Sequence, residues 1–146
     1  MSSLKINLHF LEMEIEPNDS DRDAAWDLYV ELLTRITTQP LLEQEGDEAA
    51  ALASVHSLFA LTRETLKKHG KGCREFAKLA VVVLNQIVRP FTAKWHRLSL
   101  TGAFQKKPSR SEFRRELSAI QEKLRCYTQM LAELAGVEDL TNLEKT

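Results

Sequence analysis

A row of polar side chains on one apolar helix is the feature of the sequence best suited to binding. Residues 81–96, "VVVLNQIVRPFTAKWH", are strongly apolar. At 100° per residue, a helical wheel through this region places five polar side chains side by side next to the core face: Lys78, Asn85, Arg89, Thr92 and His96. Val81 and Val82 flank the row with apolar surface, which predicts that it lies in a seam between helices and not in open solvent.

Two interpretations of this polar row compete, and a plain solvent-exposed face stays open as a third. In the structural one, Arg89 pairs with a carboxylate of the first helix, Asp27 or Glu31, and the pair fixes the register of the helices. In the functional one, Arg89 acts with Lys78 or His96 to bind an anion or the carboxylate of a partner.

Two neighbouring features add polar groups. Pro90 has no N–H to donate within its helix, so a kink and a local polar pocket are expected beside Arg89. Arg35 lies in "TRITTQ", a helix exit dense in hydrogen-bonding groups. Capping of the last carbonyls is its structural interpretation, and ligand binding is the functional one.

A basic segment, residues 89–115, is the candidate surface for an anionic partner. Its cationic side chains are Lys94, Arg97, Lys106, Lys107, Arg110, Arg114 and Arg115. Interleaved aromatic residues favour stacking on nucleobases, but Trp95 and Phe113 also lie on predicted core stripes. The isoelectric point near 6.4 and the lack of helix-turn-helix spacing make nucleic acid the less favoured partner.

The sequence lacks the motifs of common catalytic and metal sites. The four histidines lie on separate predicted elements, and the two cysteines are far apart in the chain. Phosphate-binding loops and nucleophile elbows are missing. We therefore expect no enzymatic activity, no metal and no cofactor. Without a signal peptide or a stretch of about 18 apolar residues, the chain is predicted to be cytoplasmic and not membrane-bound.

Four amphipathic helices must position the candidate residues. Their apolar residues recur three and four positions apart, which predicts helices at about 20–37, 47–69, 73–98 and 111–135. Ser20 with Asp23 is the predicted start of the first helix, and Gly70 and Gly136 end two others. Short connections favour an antiparallel four-helix bundle in a mainly α protein.

We divide the chain into an N-terminal strand or extended arm at 1–17, the helical bundle at 18–136 and a C-terminal tail at 137–146. "LKINLHF" and "LEMEIE" both alternate, and the phase changes between Phe10 and Leu11, which predicts one strand with a bulge. A helix over the same residues stays open.

A single strand cannot satisfy its own backbone groups. We therefore expect this strand to pair with a second copy of the chain. The candidate interface residues are Ile6, Leu8, Phe10, Leu11, Met13 and Ile15.

Charge is distributed unevenly along a chain whose net charge is −1. Residues 1–62 contain 3 basic and 12 acidic side chains, residues 63–115 contain 14 and 3, and residues 116–146 contain 3 and 6. An acidic third and a basic third either face each other, within the fold or in an oligomer, or the basic third meets an anionic partner.

Two functions follow as hypotheses. The first is a non-catalytic bundle that works by protein–protein association, as a homo-oligomer or as an accessory subunit of a larger system such as a bacterial effector or defence system. Segments such as "LNQIVRPFTAKWH" and "AGVEDLT" resemble small bacterial helical proteins encoded beside larger effector proteins, although they identify no family. The second is a regulator that binds an anionic ligand, a nucleotide or a nucleic acid through residues 89–115.

Overall fold

The computed structural model describes residues 3–8, 11–35 and 47–141. Two strands and four helices occupy most of this part of the chain. They are β1 (Leu4–Leu8), β2 (Leu11–Ile15), α1 (Asp19–Leu33), α2 (Glu48–His69), α3 (Arg74–Ser99) and α4 (Lys107–Ala135). Short 3₁₀ turns at Gly70–Gly72 and Ala103–Gln105 connect the last three helices. The prediction of a mainly α fold with four helices is confirmed.

The N-terminal arm is an antiparallel hairpin. Leu8 pairs with Leu11, and Leu4 pairs with Ile15, so the apolar residues of both strands share one face. Lys5 opposite Glu14 makes the other face polar. The change of phase falls between two paired strands and not at a bulge, because each residue of β1 opposes one residue of β2 and neither strand contains an extra residue.

The hairpin corrects the prediction of a single strand that lacks a partner in its own chain. Ile6, Leu8 and Ile15 are buried in the protein's own core, and Leu11 and Met13 pack against it. Phe10 lies outside the described residues. Since each strand finds its partner in the same chain, a second copy is not needed to satisfy the hydrogen bonds between them.

The core is closed at one end by an aromatic cluster that joins α3 to α4. The Trp95 ring lies edge-on to the Phe113 ring at 5.2 Å between centroids, and Phe104 stacks on Trp95 at 6.1 Å. Trp95 and Phe113 are fully buried. These contacts fix the C-terminal half of α3 against the start of α4.

The start of α1 is built around a buried carboxylate. Asn18, and not Ser20, caps the helix, and Asp21 completes the capping box by accepting a hydrogen bond from the Asn18 N–H at 2.9 Å. Asp21 also accepts a hydrogen bond from the N–H of Phe76, in the first turn of α3, at 2.9 Å. One carboxylate therefore satisfies donors at the starts of two helices.

α3 contains a π-helical turn at Leu84–Val88, between α-helical segments Arg74–Val83 and Arg89–Ser99. Here the N–H of Arg89 donates to the carbonyl of Leu84, five residues earlier. The turn directly precedes Pro90, where the sequence predicted an irregular helix. Wide turns of this kind are often found at functional sites.

The start of α4 differs from its predicted position, and the C-terminal tail contacts α1. α4 begins at Lys107 and not at Ser111, because Pro108 is favourable in a first helical turn. The tail is docked through Leu140, whose N–H donates to the Tyr29 hydroxyl at 2.6 Å.

Among the described residues, ion pairs join the acidic and basic thirds of the chain within the fold. Lys68 pairs with Asp27 at 3.0 Å, and Arg114 donates to Glu48 at 2.7 Å. Part of the uneven charge is therefore matched internally, as one of the sequence hypotheses expected.

α3 is the helix in the described part of the chain whose length and composition would suffice to cross a membrane, with a mean hydropathy of 1.2 over its most apolar window. Core helices of soluble proteins meet the same criterion. Phe76, Leu79, Val88 and Trp95 of this helix are buried in the core.

Candidate functional site: a groove between α2 and α3

A groove of about 670 Å³ runs between α2 and the C-terminal half of α3. α2 contributes one wall, α3 the other, and the turn before α4 closes one end. The residues that line it are Ala49, Leu52, Ala53, His56, Phe59, Arg63, Arg89, Thr92, Ala93, His96, Ser99 and Phe104. On α2 they recur three, four or seven residues apart, so they form one stripe of the helix.

The floor of the groove is apolar and the rims are polar. Leu52, Phe59 and Thr92 are buried at its base. Small side chains such as Ala53 and Ala93 line it at exposed positions on the two helices, which leaves the space between them open. An apolar base with a few convergent polar groups is typical of binding sites.

The rims carry positive charge, and none of the described residues that line the groove is acidic. The guanidinium of Arg89 lies over the Phe59 ring, 4.8 Å from its centroid. The Nε of Arg89 donates a hydrogen bond to the side-chain oxygen of Asn85 at 3.2 Å. Asn85 is neutral, so the charge of Arg89 has no carboxylate partner in the described part of the chain. Arg63 is exposed and forms no ion pair with any described residue.

Two histidines extend the polar rims. His56 contacts the ring of Phe59 at 5.5 Å between centroids, and His96 lies on the opposite wall. Both side chains are exposed. The groove therefore combines two permanent cations, two imidazole rings and a buried aromatic ring, a set that favours an anionic group attached to an apolar one.

The π-helical turn explains why Arg89 and Thr92 reach this groove. The buried positions of the first half of α3 are 76, 79, 80 and 83. The next buried position is 88, five residues after 83, and the stripe continues at 91, 92 and 95. The five-residue step is one residue longer than an α-helical turn, so it rotates the second half of α3 by about 100° relative to a regular helix. The second half therefore presents a face that a uniform wheel places elsewhere.

The seam predicted for the polar row is wrong. Asn85 and Arg89 are exposed, and Arg89 pairs with neither Asp27 nor Glu31. Lys78 is also exposed and pairs with Glu75 of its own helix at 3.2 Å. A helical wheel of constant angle places Lys78 in one row with Arg89 and His96. In the structure, the π-helical turn separates Lys78 from the residues of the groove.

Some of the predicted site residues lie at the groove, and others lie outside it. Arg89 and His96 line the groove, with Asn85 beside Arg89. Lys78 lies outside the residues that line the groove, as does Arg35, which donates to Glu31 one turn earlier at 2.7 Å.

The basic segment does not form one uniform surface. Lys94 pairs with Glu116 at 2.6 Å and with Glu112, and Arg114 pairs with Glu48. Burial raises the pKa of Glu116, but hydrogen bonds from Lys94 and Trp95 outweigh it and hold the pKa below its ordinary value. Arg110 donates to a backbone carbonyl. The exposed cations that remain are Arg97, Lys106, Lys107 and Arg115.

The α2 wall was missed by sequence reasoning. Ala49, Ala53, His56 and Arg63 are not among the site residues predicted from the sequence. Their spacing was a usable signal, since small and cationic residues share one stripe beside the buried Leu52 and Phe59. What the stripe faces depends on how the two helices pack.

The described residues contain no cluster of three or more histidine, cysteine, aspartate or glutamate side chains that could hold a metal ion. Comparison with protein-family models, with curated proteins and with solved structures found no match.

Proposed function

We propose that this protein is a non-catalytic helical bundle that acts by association and binds an acidic surface of a protein partner in the α2–α3 groove. The observation that supports this most directly is Arg89, a cation held over the buried Phe59 ring with no carboxylate of the described residues opposite it. Such an arrangement is suited to a partner that brings both a carboxylate and an apolar side chain.

The shape of the groove favours a helix or extended segment as the bound element. The lining residues of α2 span Ala49 to Arg63, which corresponds to about 21 Å along a helix. Exposed Ala49, Ala53 and Ala93 leave room for another backbone to approach. A partner helix of about four turns would place its apolar side on the floor and its acids on the rims.

A small aromatic anion is a second candidate ligand. The groove volume of about 670 Å³ is within the range of small-molecule sites. Arg89, Phe59 and His96 could hold an anionic group and a ring at the same time. This alternative retains the sequence-based hypothesis of an anion-binding regulator, with the site moved from the basic segment to the groove.

Fluorescence titration with three probes tests the proposal. They are an amphipathic helical peptide rich in glutamate, the same peptide with glutamine in place of glutamate, and the aromatic anion anilinonaphthalene sulfonate. We expect the acidic peptide to bind at least about tenfold more tightly than the neutral one, a difference of about 1.4 kcal/mol.

Matched variants locate the binding. Arg63→Glu/Arg89→Glu reverses the charge of the groove, whereas Arg97→Glu reverses an exposed charge of the same helix outside the groove lining. The first variant should lose the preference for the acidic peptide, and the second should keep it. Equal binding of both peptides to the wild-type protein would refute the proposal, and groove-dependent binding of the sulfonate alone would favour the second candidate.

A further inference from the structure

α1 has an exposed ridge that carries acidic side chains, whereas the rims of the groove carry basic ones. The ridge consists of Asp19, Asp23, Trp26 and Val30, spaced four, three and four residues apart and therefore on one face of the helix. Trp26 is 47% exposed and Val30 is 40% exposed. Two large apolar side chains on one exposed stripe are characteristic of an interaction surface.

The surroundings of the ridge are acidic. Trp26 and Val30 border a depression of about 360 Å³ between α1 and α2, and its lining residues include Asp27, Glu31 and Glu64. Asp27 and Glu31 are neutralised by Lys68 and Arg35. Asp19, Asp23 and Glu64 form no ion pair with any described residue.

We infer that the partner of the groove is the α1 ridge of a second copy of this chain. The inference rests on the proposed function, because it assumes that the groove binds an acidic helix. Both halves of the match are present on one molecule: Trp26 and Val30 correspond to the apolar floor at Phe59, and the unpaired acids correspond to Arg63 and Arg89.

The dimensions of the two surfaces agree. The ridge from Asp19 to Val30 is about 17 Å long, and the groove from Ala49 to Arg63 is about 21 Å long. The groove can therefore accept the whole ridge. Complementary charge would orient the helix and exclude the alternative contact of one acidic ridge with another.

The ridge and the groove are separate surfaces on opposite flanks of α2. Leu61, Glu64 and Lys68 of α2 line the depression beside the ridge, whereas Ala53 and Arg63 line the groove. At 100° per residue, the mean direction of all the α2 residues that line the depression, including Thr65, differs by about 140° from the mean direction of all the α2 residues that line the groove. A ridge-to-groove contact therefore joins different patches of the two copies, which leads to a ring or an open chain of subunits.

Light scattering on the full chain and on two complementary variants tests this inference. The ridge variant, Asp23→Ala/Trp26→Ala, keeps an intact groove, and the groove variant, Arg63→Glu/Arg89→Glu, keeps an intact ridge. We expect the mass of the wild-type protein to rise with concentration, each variant alone to stay monomeric, and an equimolar mixture to form a one-to-one dimer that grows no further.

The mixture also controls for folding, because a variant that failed to fold could not complement the other. Val81→Ala is the control for the loss of the Trp26 side chain. It removes an exposed apolar side chain (43% exposed) of α3 that lies outside the groove lining, and it should leave self-association unchanged. A monomeric wild-type protein at high concentration would overturn the inference, as would a mixture without dimers when both variants keep the wild-type circular dichroism spectrum. If the wild-type protein still prefers the acidic peptide in its groove, the proposed function stands and only the second copy as partner is excluded.

Discussion

Asp21 joins the starts of α1 and α3, and replacing it tests how much of the fold depends on this junction. Its side chain is fully buried and accepts hydrogen bonds from the backbone N–H groups of Asn18 and Phe76, both at 2.9 Å. Asp21→Asn keeps the size of the side chain and one acceptor oxygen. It removes the charge and turns an NH₂ group towards one of the two donors.

The magnitude follows from these two contacts. A hydrogen bond to a charged group stabilises a protein by about 1.5–3 kcal/mol, and a buried donor left without a partner adds a further cost of similar size. We expect Asp21→Asn to lower the free energy of unfolding by about 3–6 kcal/mol. In a chain of this size the corresponding fall in Tm is on the order of 10 °C.

Urea denaturation followed by circular dichroism measures this change. Glu122→Gln is the matched control, because it makes the same change of carboxylate to amide at an exposed position of α4. It should alter the free energy of unfolding by less than about 0.5 kcal/mol. If Asp21→Asn were as mild as this control, the buried carboxylate would not hold the two helix starts together, and the reasoning would fail.

Two further predictions concern other buried or paired groups. The Tyr127 hydroxyl is buried and has no hydrogen-bond partner among the residues that the structure describes, so Tyr127→Phe should raise the free energy of unfolding by about 1 kcal/mol in the same urea assay; a loss of stability would contradict this. Burial raises the pKa of Asp27 and of Glu116, but hydrogen bonds from His69 and Lys94 respectively help to hold both pKa values below their ordinary 3.8 and 4.5. Their stabilisation is therefore present above those values and lost as the pH falls through the lower folded-state pKa values. Denaturation at a series of acidic pH values should show this loss, and Asp27→Asn/Glu116→Gln should reduce the slope.

The helices were predictable because each buries one stripe of a regular period. Leu117, Leu124 and Leu131 in α4 repeat every seven residues, and all three are buried. The ends were less predictable, because they depend on local competition between caps. The sequence predicted Ser20 as the cap of α1, but Asn18 caps the helix in the structure. Only with Asn18 does the capping partner, Asp21, also reach α3.

The hairpin was missed because the alternation of a strand does not show where its partner lies. A change of phase fits either a bulge or a tight turn. The described register decides between them, because Leu8 directly opposes Leu11. With the turn, six apolar residues of two strands share one face, which buries more apolar surface than a single strand with half of its residues on each side.

The groove could be predicted only in part, and the reason lies in the π-helical turn. From Val83 to Val88 the buried stripe of α3 advances by five residues, so a wheel of constant angle misplaces every side chain beyond it. With the turn included, the halves of α3 bury the same side of the helix, and Arg89 and Thr92 fall beside Phe59 of α2. The wide turn therefore serves two purposes. It keeps the apolar stripe continuous across the helix, and it places an arginine at the rim of a groove where no described acid meets it.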